Sequence, residues 1–347
     1  MSAGGRIIKF GEALREAMFL AMEQDPAVFV MGIGVDDHKA VFGSTRGLVQ
    51  KFGKARVFDI PISENALTGV AVGAALGGLK PVFIHIRCDF LYLAMDQLFN
   101  IAAKWRYMFG GQMNVPMVIR CVIGRSWGQG AQHSQNLTSF FMHVPGIKVA
   151  MPTTANEAQG LLLAAIEDPN PVVLIEHRLL YDIPGHVPER LGPIPFGRAE
   201  IRRTGKDVTL VASSYMAVEA LKAAEFLESQ GIDVEIVDPV SLVPLDRETI
   251  VNSVKKTGKL LVVDSGWSTC GVGAEIAALA AEKAFASLTG PVRRLGQEQT
   301  TCPVSKPLEK IFYPDAAKIA REVFDMMGRA FPDVEVGGLT TTFKGPF

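Results

Sequence analysis

Glu64, within Asp59-Ile-Pro-Ile-Ser-Glu64-Asn-Ala-Leu-Thr-Gly69-Val-Ala-Val-Gly73-Ala-Ala-Leu-Gly77-Gly78, is a lone carboxylate at the start of an otherwise almost uncharged helix. Pro61 and Ser63 mark a helix entry, which puts the carboxylate at the positive end of the helix dipole. It either complements that dipole or serves as an acid–base or hydrogen-bonding group toward a ligand. Gly69, Gly73 and Gly77 recur every four residues and narrow one face for another helix to pack against. A second candidate is His133. Gln132-His133-Ser134-Gln135 follows Arg125-Ser-Trp-Gly-Gln-Gly130, a polar, glycine-bearing loop after an apolar run ending near Ile123. Sites gather on loops at strand ends, and a histidine there can hold an anion or move a proton, unless it makes only a structural loop hydrogen bond. His38, His85 and His143 lack such surroundings and read as structural or solvent-facing.

The elements that must position these residues alternate. Phe10–Glu23 carries Leu14, Met18, Ala21 and Met22 on one face and is stopped by Asp25-Pro26 before the apolar run Val28–Met31. The Glu64 helix, a strand Pro81–Ile86, a helix around Leu93–Tyr107 and a strand Pro116–Ile123 follow. This order predicts an α/β layer with a mostly parallel sheet. Asp182–Gly197 holds four prolines and three glycines in sixteen residues, too many breakers for a helix or central strand, and is expected to be a linker. Beyond it come strand Asp207–Ala212, helix Ala217–Gln230, strand Val234–Val237, helix Asp246–Thr257, strand Lys259–Val263, helix Val272–Phe285, strand Val292–Leu295 and helix Ala316–Met327. The expected organisation is a first doubly wound α/β domain over 1–181, a linker over 182–197, a second over 198–327, and a tail over 328–347 that drapes over a neighbour or is disordered.

Composition sets further limits. A chain of 347 residues, 48% hydrophobic with mean hydropathy +0.22, can build two cores and an extensive subunit interface. A net charge of −1 with dispersed Lys and Arg gives no nucleic-acid track and no membrane-surface patch. Cys88, Cys121, Cys270 and Cys302 form neither a Cys-x-x-Cys pair nor a zinc pattern; they read as small hydrophobes in a reducing compartment. The start Met-Ser-Ala-Gly-Gly-Arg has no apolar signal core, and no run reaches the ~18 apolar residues of a membrane span, so a cytoplasmic location is expected.

An ordered series of segments carries a resemblance. Ser63-Glu64-Asn-Ala is followed by Asp89-Phe90, Met95-Asp96-Gln97, Asn100-Ile-Ala-Ala-Lys104, Tyr107-Met-Phe-Gly-Gly-Gln112, Gln132-His-Ser-Gln135, His143-Val-Pro-Gly146 and Asn170-Pro-Val-Val-Leu-Ile-Glu-His-Arg-Leu-Leu-Tyr181. From Glu64 to Tyr181 the chain resembles the β subunit of the E1 component of 2-oxo acid dehydrogenases of the pyruvate, branched-chain and acetoin type, within the transketolase-like thiamine diphosphate superfamily. The resemblance implies a pyrimidine-binding domain and a transketolase C-terminal-like domain. It also implies oxidative decarboxylation of a 2-oxo acid with acyl transfer to lipoamide. Glu64 matches the carboxylate that hydrogen-bonds the aminopyrimidine and makes its amino group basic enough to remove the thiazolium proton. Phe90 matches the aromatic wall on the pyrimidine, with Ile86 on the same wall, although a core Phe after a strand would look the same. His133 matches a residue that holds substrate carboxylate or donates a proton during acyl transfer. Met117, Ala165, Ile166, Asp168 and Asn170 match the ligands of a structural potassium ion, against the plain reading of a turn at Asp168-Pro-Asn170.

The chain contains no Gly-Asp-Gly, the segment that grips the diphosphate through Mg²⁺ in thiamine enzymes. The resemblance therefore implies an α subunit that holds Mg²⁺ in an α2β2 heterotetramer, the Gly69/Gly73/Gly77 face as a subunit seam, and a lipoyl acyltransferase (E2) partner. Two features depart from the pattern. Gly32 is followed by Ile33-Gly34 where an acidic pair is usual, and Arg125-Ser-Trp127 is bulkier than the usual glycine-rich stretch. Both bear on substrate choice, and they keep open a two-component thiamine carboligase or transketolase-like enzyme not linked to a lipoyl protein. A nicotinamide dehydrogenase is disfavoured, because Gly32-Ile-Gly34-Val-Asp-Asp37 lacks the third glycine of a dinucleotide loop. A noncatalytic scaffold subunit would keep its activity when Glu64 is replaced by Gln.

Overall fold

A computed structural model of the chain describes residues 5–124 and 128–332; the bulky loop Arg125–Trp127 and residues 333–347, most of the expected tail, lie outside them. The chain divides into two compact units. The first comprises Met1–Ile123, Phe140–Phe196 and Leu242–Pro244, and the second Gly124–Ser139, Gly197–Ser241 and Leu245–Phe347.

The first stretch of chain forms β1 (Gly5–Lys9), α1 (Phe10–Gln24), β2 (Val28–Gly32), α2 (Leu48–Phe52), β3 (Val57–Asp59), α3 (Glu64–Leu76) and β4 (Lys80–His85). It continues with α4 (Ala103–Met108), β5 (Val118–Ile123), α5 (Thr138–His143), β6 (Lys148–Ala150), α6 (Ala155–Glu167), β7 (Val172–His177) and β8 (Pro184–Pro188). Apolar runs such as Val28–Gly32, Val118–Ile123 and Val172–His177 are buried throughout, as strands covered on both faces must be. They form a seven-stranded sheet in the order β12-β6-β7-β5-β4-β2-β3, with β12 (Ser241–Val243) at its edge. The pairs β2–β3, β2–β4, β4–β5, β5–β7 and β6–β7 are all parallel. Helix α6 starts at a capping box in which Thr154 accepts from the Glu157 N–H at 3.2 Å, and it packs on α1.

Two stretches differ from the sequence expectation. The helix expected around Leu93–Tyr107 is a 3₁₀ turn (Cys88–Ala94), a π-helix (Asp96–Ala102) and α4 in succession. Within the expected linker, β8 pairs antiparallel with β1, Ile7 opposite His186. Pro184 and Pro188 sit at its ends, where a two-stranded ribbon tolerates a missing donor.

The second unit runs β9 (Glu200–Arg203), β10 (Val208–Ala212), α7 (Tyr215–Ser229), β11 (Val234–Asp238), α8 (Arg247–Thr257), β13 (Leu260–Trp267), α9 (Val272–Lys283), β14 (Arg293–Gln297), α10 (Lys306–Phe312) and α11 (Ala316–Met326). Its sheet has the order β14-β13-β10-β11-β9, parallel except for β9, which runs against β11. Helix α8 shows how local chemistry fixes an element: Asp246 accepts from the Thr249 N–H at 3.1 Å at its start, and Gly258 takes a left-handed φ of 71° at its end. At the head of the expected tail, Phe331 packs on Phe226 and Phe324 of this same unit.

Candidate active site

Strand β2 has β3 on one side and β4 on the other, so the connections leaving their carboxyl ends diverge. A crevice at such a switch point is where open parallel sheets bind ligands. The loop after β2 brings Gly34 to this edge, the loop after β3 brings Glu64, and the end of β4 brings Ile86. Glu64 is the first residue of α3, only 6% exposed, and among the described residues no donor or cation reaches its carboxylate. The helix dipole favours its charge, and its oxygens, which no protein donor reaches, remain open to a donor on a ligand. Three fully buried atoms on α3 or at the end of β4 lack a hydrogen bond: Thr68 Oγ1, His85 Nε2 and Arg87 Nε.

Helix α3 packs against the turn Cys88–Ala94, which carries Phe90. Ile86 and Phe90 are both half-buried, as a wall facing a ligand should be. Gly34 takes a φ of +73°, and a Cβ there would stand 3.2 Å from Ile86 Cδ1, so the loop after β2 lies directly against this wall. Glu64, Ile86 and Phe90, expected from the sequence to act together, thus share one edge of the first unit. A planar heterocycle bearing a hydrogen-bond donor fits this set: an acceptor without a donor, beside apolar surface.

His85 is buried, with its ring centroid 4.2 Å from that of Phe83, and burial pushes its pKa down to about 3. It is neutral at physiological pH and structural, in line with its sequence context. His38 and His143 are exposed. Cys88, Cys121 and Cys302 are buried, and Cys270 is exposed. Of the three spaced glycines, Gly69 lies against Gln97, whereas a Cβ on Gly73 would meet nothing within 4 Å, leaving the middle of that face open.

His133 belongs to the second unit, on the loop between β5 and α5. Ser134 and Asn136 on the same loop are buried, while His133 itself is half-buried. Asn136 donates to Ser265 Oγ at 2.9 Å and accepts from the Thr138 N–H at 2.9 Å, which fixes the loop to β13 and starts α5.

Met117, Ala165, Ile166, Asp168 and Asn170 meet where α6 ends and β5 and β7 begin. The Met117 carbonyl accepts from the Val172 N–H at 3.0 Å and the Ala165 carbonyl from the Asp168 N–H at 3.3 Å. Each keeps a second lone pair, and carbonyls at a helix C-terminus carry the negative end of the dipole, so the set has the hard-oxygen character that suits a monovalent cation. The Asp168 carboxylate already holds Lys148 in an ion pair, so a cation would share that charge with an ammonium. Among the described residues no cluster of three or more His, Cys, Asp or Glu offers a transition-metal site.

Sequence reasoning missed one network. Arg120 on β5 forks onto Glu176 on β7, Tyr181 donates to the same carboxylate, and Arg120 Nη2 donates to Ser44 Oγ at 3.1 Å. Burial works against the guanidinium charge, but Glu176 and Tyr181 outweigh it and raise the Arg120 pKa. The available signal was a lone arginine inside the apolar run Val118-Ile-Arg120-Cys-Val-Ile123. An apolar groove of about 980 Å³ in the first unit is lined by Tyr107, Val115, Ile147, Val243 and Pro244 among others, and by none of Glu64, Ile86 or Phe90.

Two parallel α/β units, the first with an unpartnered carboxylate at its switch point, define a transketolase-like protein. Residues 7–184 match the transketolase pyrimidine-binding domain and residues 197–319 the transketolase C-terminal domain. The chain belongs to the family of E1 β subunits of pyruvate and acetoin dehydrogenases. It is 43% identical over 318 residues to the acetoin:2,6-dichlorophenolindophenol oxidoreductase β subunit of Cupriavidus necator, covering 89% of this chain and 94% of that one. It is 44% identical over 313 residues to the pyruvate dehydrogenase E1 β subunit of Rhizobium meliloti, covering 90% and 68%. Among solved structures, a split-gene transketolase described as an inactive beta4 tetramer superposes with a TM-score of 0.77 over 92% of this chain and 99% of that one, at 24% identity, a likeness of fold.

Proposed function

We propose that this chain is the β subunit of a thiamine diphosphate-dependent 2-oxo acid dehydrogenase, working in an α2β2 heterotetramer that passes an acyl group to a lipoyl acyltransferase (E2). The observation that carries the reading is Glu64, a buried carboxylate without a donor at the mouth of α3 in a pyrimidine-binding domain. Thiamine diphosphate, when bound, supplies the electron sink that decarboxylation of a 2-oxo acid requires. Glu64 would hold the aminopyrimidine by accepting its proton or hydrogen bond at the carboxylate, and Ile86 and Phe90 would exclude water and orient the ring. His133 would donate or accept a proton at its imidazole during acyl transfer. Mg²⁺ is assigned to the α subunit, because the chain contains no Gly-Asp-Gly segment. Potassium is assigned to the Met117, Ala165, Ile166, Asp168 and Asn170 set as a stabilising ion. The open Gly73 face of α3 and the exposed Tyr107, Met108 and Phe109 are assigned to contact with other subunits.

Among the described residues no helix is long and apolar enough to cross a membrane, and a cytoplasmic location is part of this proposal. The test is a pull-down of the tagged chain from its own cells with mass spectrometry of the bound proteins. An α subunit together with a lipoylated acyltransferase is the expected result. An α subunit alone would favour the carboligase reading, and neither would overturn catalysis by this chain.

A further inference from the structure

Among the buried side chains that the proposed chemistry leaves unused, two thiols stand together. Cys121 on β5 donates to Cys88 at an Sγ–Sγ distance of 3.7 Å, and both residues are fully buried in the first unit. The fold brings them together because β5 pairs with β4, Cys121 opposite His85, and Cys88 follows three residues past His85 where the chain leaves β4. A disulfide holds its sulfurs at about 2.05 Å, so closing the pair requires them to approach by about 1.6–1.7 Å. The two sides are unequal. Cys121 belongs to a strand bonded to neighbours on both sides within the seven-stranded sheet, which resists displacement. Cys88 opens the 3₁₀ turn Cys88–Ala94, whose hydrogen-bond geometry is poorer, and the bond from the Phe90 N–H to the Arg87 carbonyl is long at 3.4 Å. Cys88, Leu91 and Ala94 bury one side of this turn, while Phe90, two residues from Cys88, stays half-buried at the proposed cofactor wall. Movement at Cys88 is therefore movement at Phe90.

We infer that Cys88 and Cys121 are an oxidative modification site, a thiol pair that a peroxide closes to a disulfide, and that closure draws the Phe90 turn out of its cofactor-holding position. The consequence for the cofactor rests on the assignment of Ile86 and Phe90 to its wall made above. In the first step hydrogen peroxide transfers an oxygen to Cys88 Sγ, giving a sulfenic acid and one water. Cys121 Sγ then attacks that sulfur, the hydroxyl leaves with the Cys121 proton as a second water, and the S–S bond forms. The two thiols together give up two electrons and two protons, which reduce one peroxide to two waters. Burial first, then Cys88 itself and the carboxylates of Glu176 and Asp89, hold the Cys121 thiol well above its usual pKa, so the packed pair stays protonated and reacts slowly. Oxidation thus waits on an opening of the turn, and a ring bound against Phe90 opposes that opening.

The experiment exposes the assembled enzyme with its α subunit to hydrogen peroxide, with and without thiamine diphosphate, and then alkylates the remaining thiols. Trypsin cuts after Arg87 and Arg120, so Cys88 and Cys121 begin two separate peptides that only a disulfide keeps joined. Mass spectrometry is expected to find the joined peptides in the cofactor-free enzyme, forming about fivefold more slowly once the cofactor is bound, and lost on treatment with dithiothreitol. Thiamine diphosphate should bind the oxidised enzyme about tenfold more weakly than the reduced one, with recovery in dithiothreitol. Cys88→Ala and Cys121→Ala should each bind the cofactor within about twofold of the wild-type protein and no longer respond to peroxide. Melting temperatures check that each variant is folded, and either one carries the test if the other is not. If both variants lose cofactor affinity in peroxide as the wild-type protein does, the effect belongs to another residue and the site is overturned. Absence of the joined peptides under peroxide that oxidises the exposed Cys270 removes the pair altogether. Joined peptides with unchanged cofactor affinity refute the coupling to Phe90. An enzyme that binds no thiamine diphosphate even when reduced sinks the cofactor reading instead, and the joined peptides still decide whether the pair closes.

Discussion

Arg120 and Glu176 meet in a two-pronged ion pair, Nε to Oε1 at 2.6 Å and Nη2 to Oε2 at 2.9 Å, with both side chains fully buried. The pair cross-links β5 and β7 in the middle of the seven-stranded sheet, and through Tyr181 and Ser44 it also ties down the chain after β7 and the loop after β2. It thus holds the scaffold of the carboxyl edge at which Gly34 and Ile86 stand.

Breaking this pair from one side strands a charge in the core. Arg120→Met or Glu176→Leu alone should each cost about 3–5 kcal/mol in the assembled protein. The double replacement should cost clearly less than the sum, although the Tyr181 and Ser44 hydroxyls would still lose a partner. Urea midpoints of the three variants check this, and additive losses would refute the coupling.

Glu64→Gln keeps the shape of the side chain and removes its charge and proton affinity. Turnover of the 2-oxo acid should fall by about 10²–10⁴-fold, the range of acid–base contributions, with the mass of the complex unchanged. Full activity in this variant would return the chain to a scaffold role.

Much of the fold was legible because its helices are long and periodic. Phe10–Gln24, Val272–Lys283 and Ala316–Met326 were each expected within one or two residues of where they lie. The stretch from Cys88 to Met108 was not, because the choice between i+3, i+4 and i+5 hydrogen bonds leaves hardly any trace in side-chain type. Strand β8 was hidden by its own prolines. Glu64 could be picked out as a lone carboxylate, but spacing alone does not distinguish a dipole partner from a ligand partner. The structure adds that the side chain is only 6% exposed and meets no protein donor among the described residues, which supports the ligand reading.

His85 gives the stability curve an acid limb. The folded protein keeps it neutral, with a pKa lowered to about 3 by burial, against 6.5 when exposed. Between those values the unfolded chain binds the extra proton, so this contribution is present above 6.5 and is lost as pH falls toward 3, by up to about 1.4 kcal/mol per unit. From about pH 7.5 to about pH 5 the wild-type protein should lose about 2 kcal/mol more than His85→Phe, which keeps an aromatic ring against Phe83. Parallel melting curves across that range would disprove it.

Potassium should stabilise the end of α6. Exchange of potassium for tetramethylammonium, too large for a carbonyl cage, is expected to cost about 1–3 kcal/mol in the wild-type protein, as for any ligand bound only by the folded state. Asp168→Asn should weaken the response. An equal melting temperature in both salts would remove the ion from Met117, Ala165, Ile166, Asp168 and Asn170.

Gly34 and Gly53 separate backbone strain from contact at the proposed cofactor wall. Both have left-handed φ values, +73° and +77°, but a Cβ on Gly34 would press on Ile86 Cδ1 at 3.2 Å whereas one on Gly53 would meet nothing within 4 Å. Alanine is strained at either position by the positive φ, and at Gly53, whose ψ of 164° lies in a region taken almost only by glycine, the cost is about 1–3 kcal/mol of stability. Only Gly34→Ala also has to push Ile86 toward the space where the pyrimidine ring would lie. Titration of thiamine diphosphate into the assembled enzyme should thus show an affinity loss of about threefold to tenfold for Gly34→Ala, equivalent to about 0.7–1.4 kcal/mol. Gly53→Ala should bind the cofactor as the wild-type protein does, despite its own drop in melting temperature. Equal cofactor affinity in the two variants would mean that Ile86 does not face the ring, and the wall would then have to be assigned to Phe90 alone.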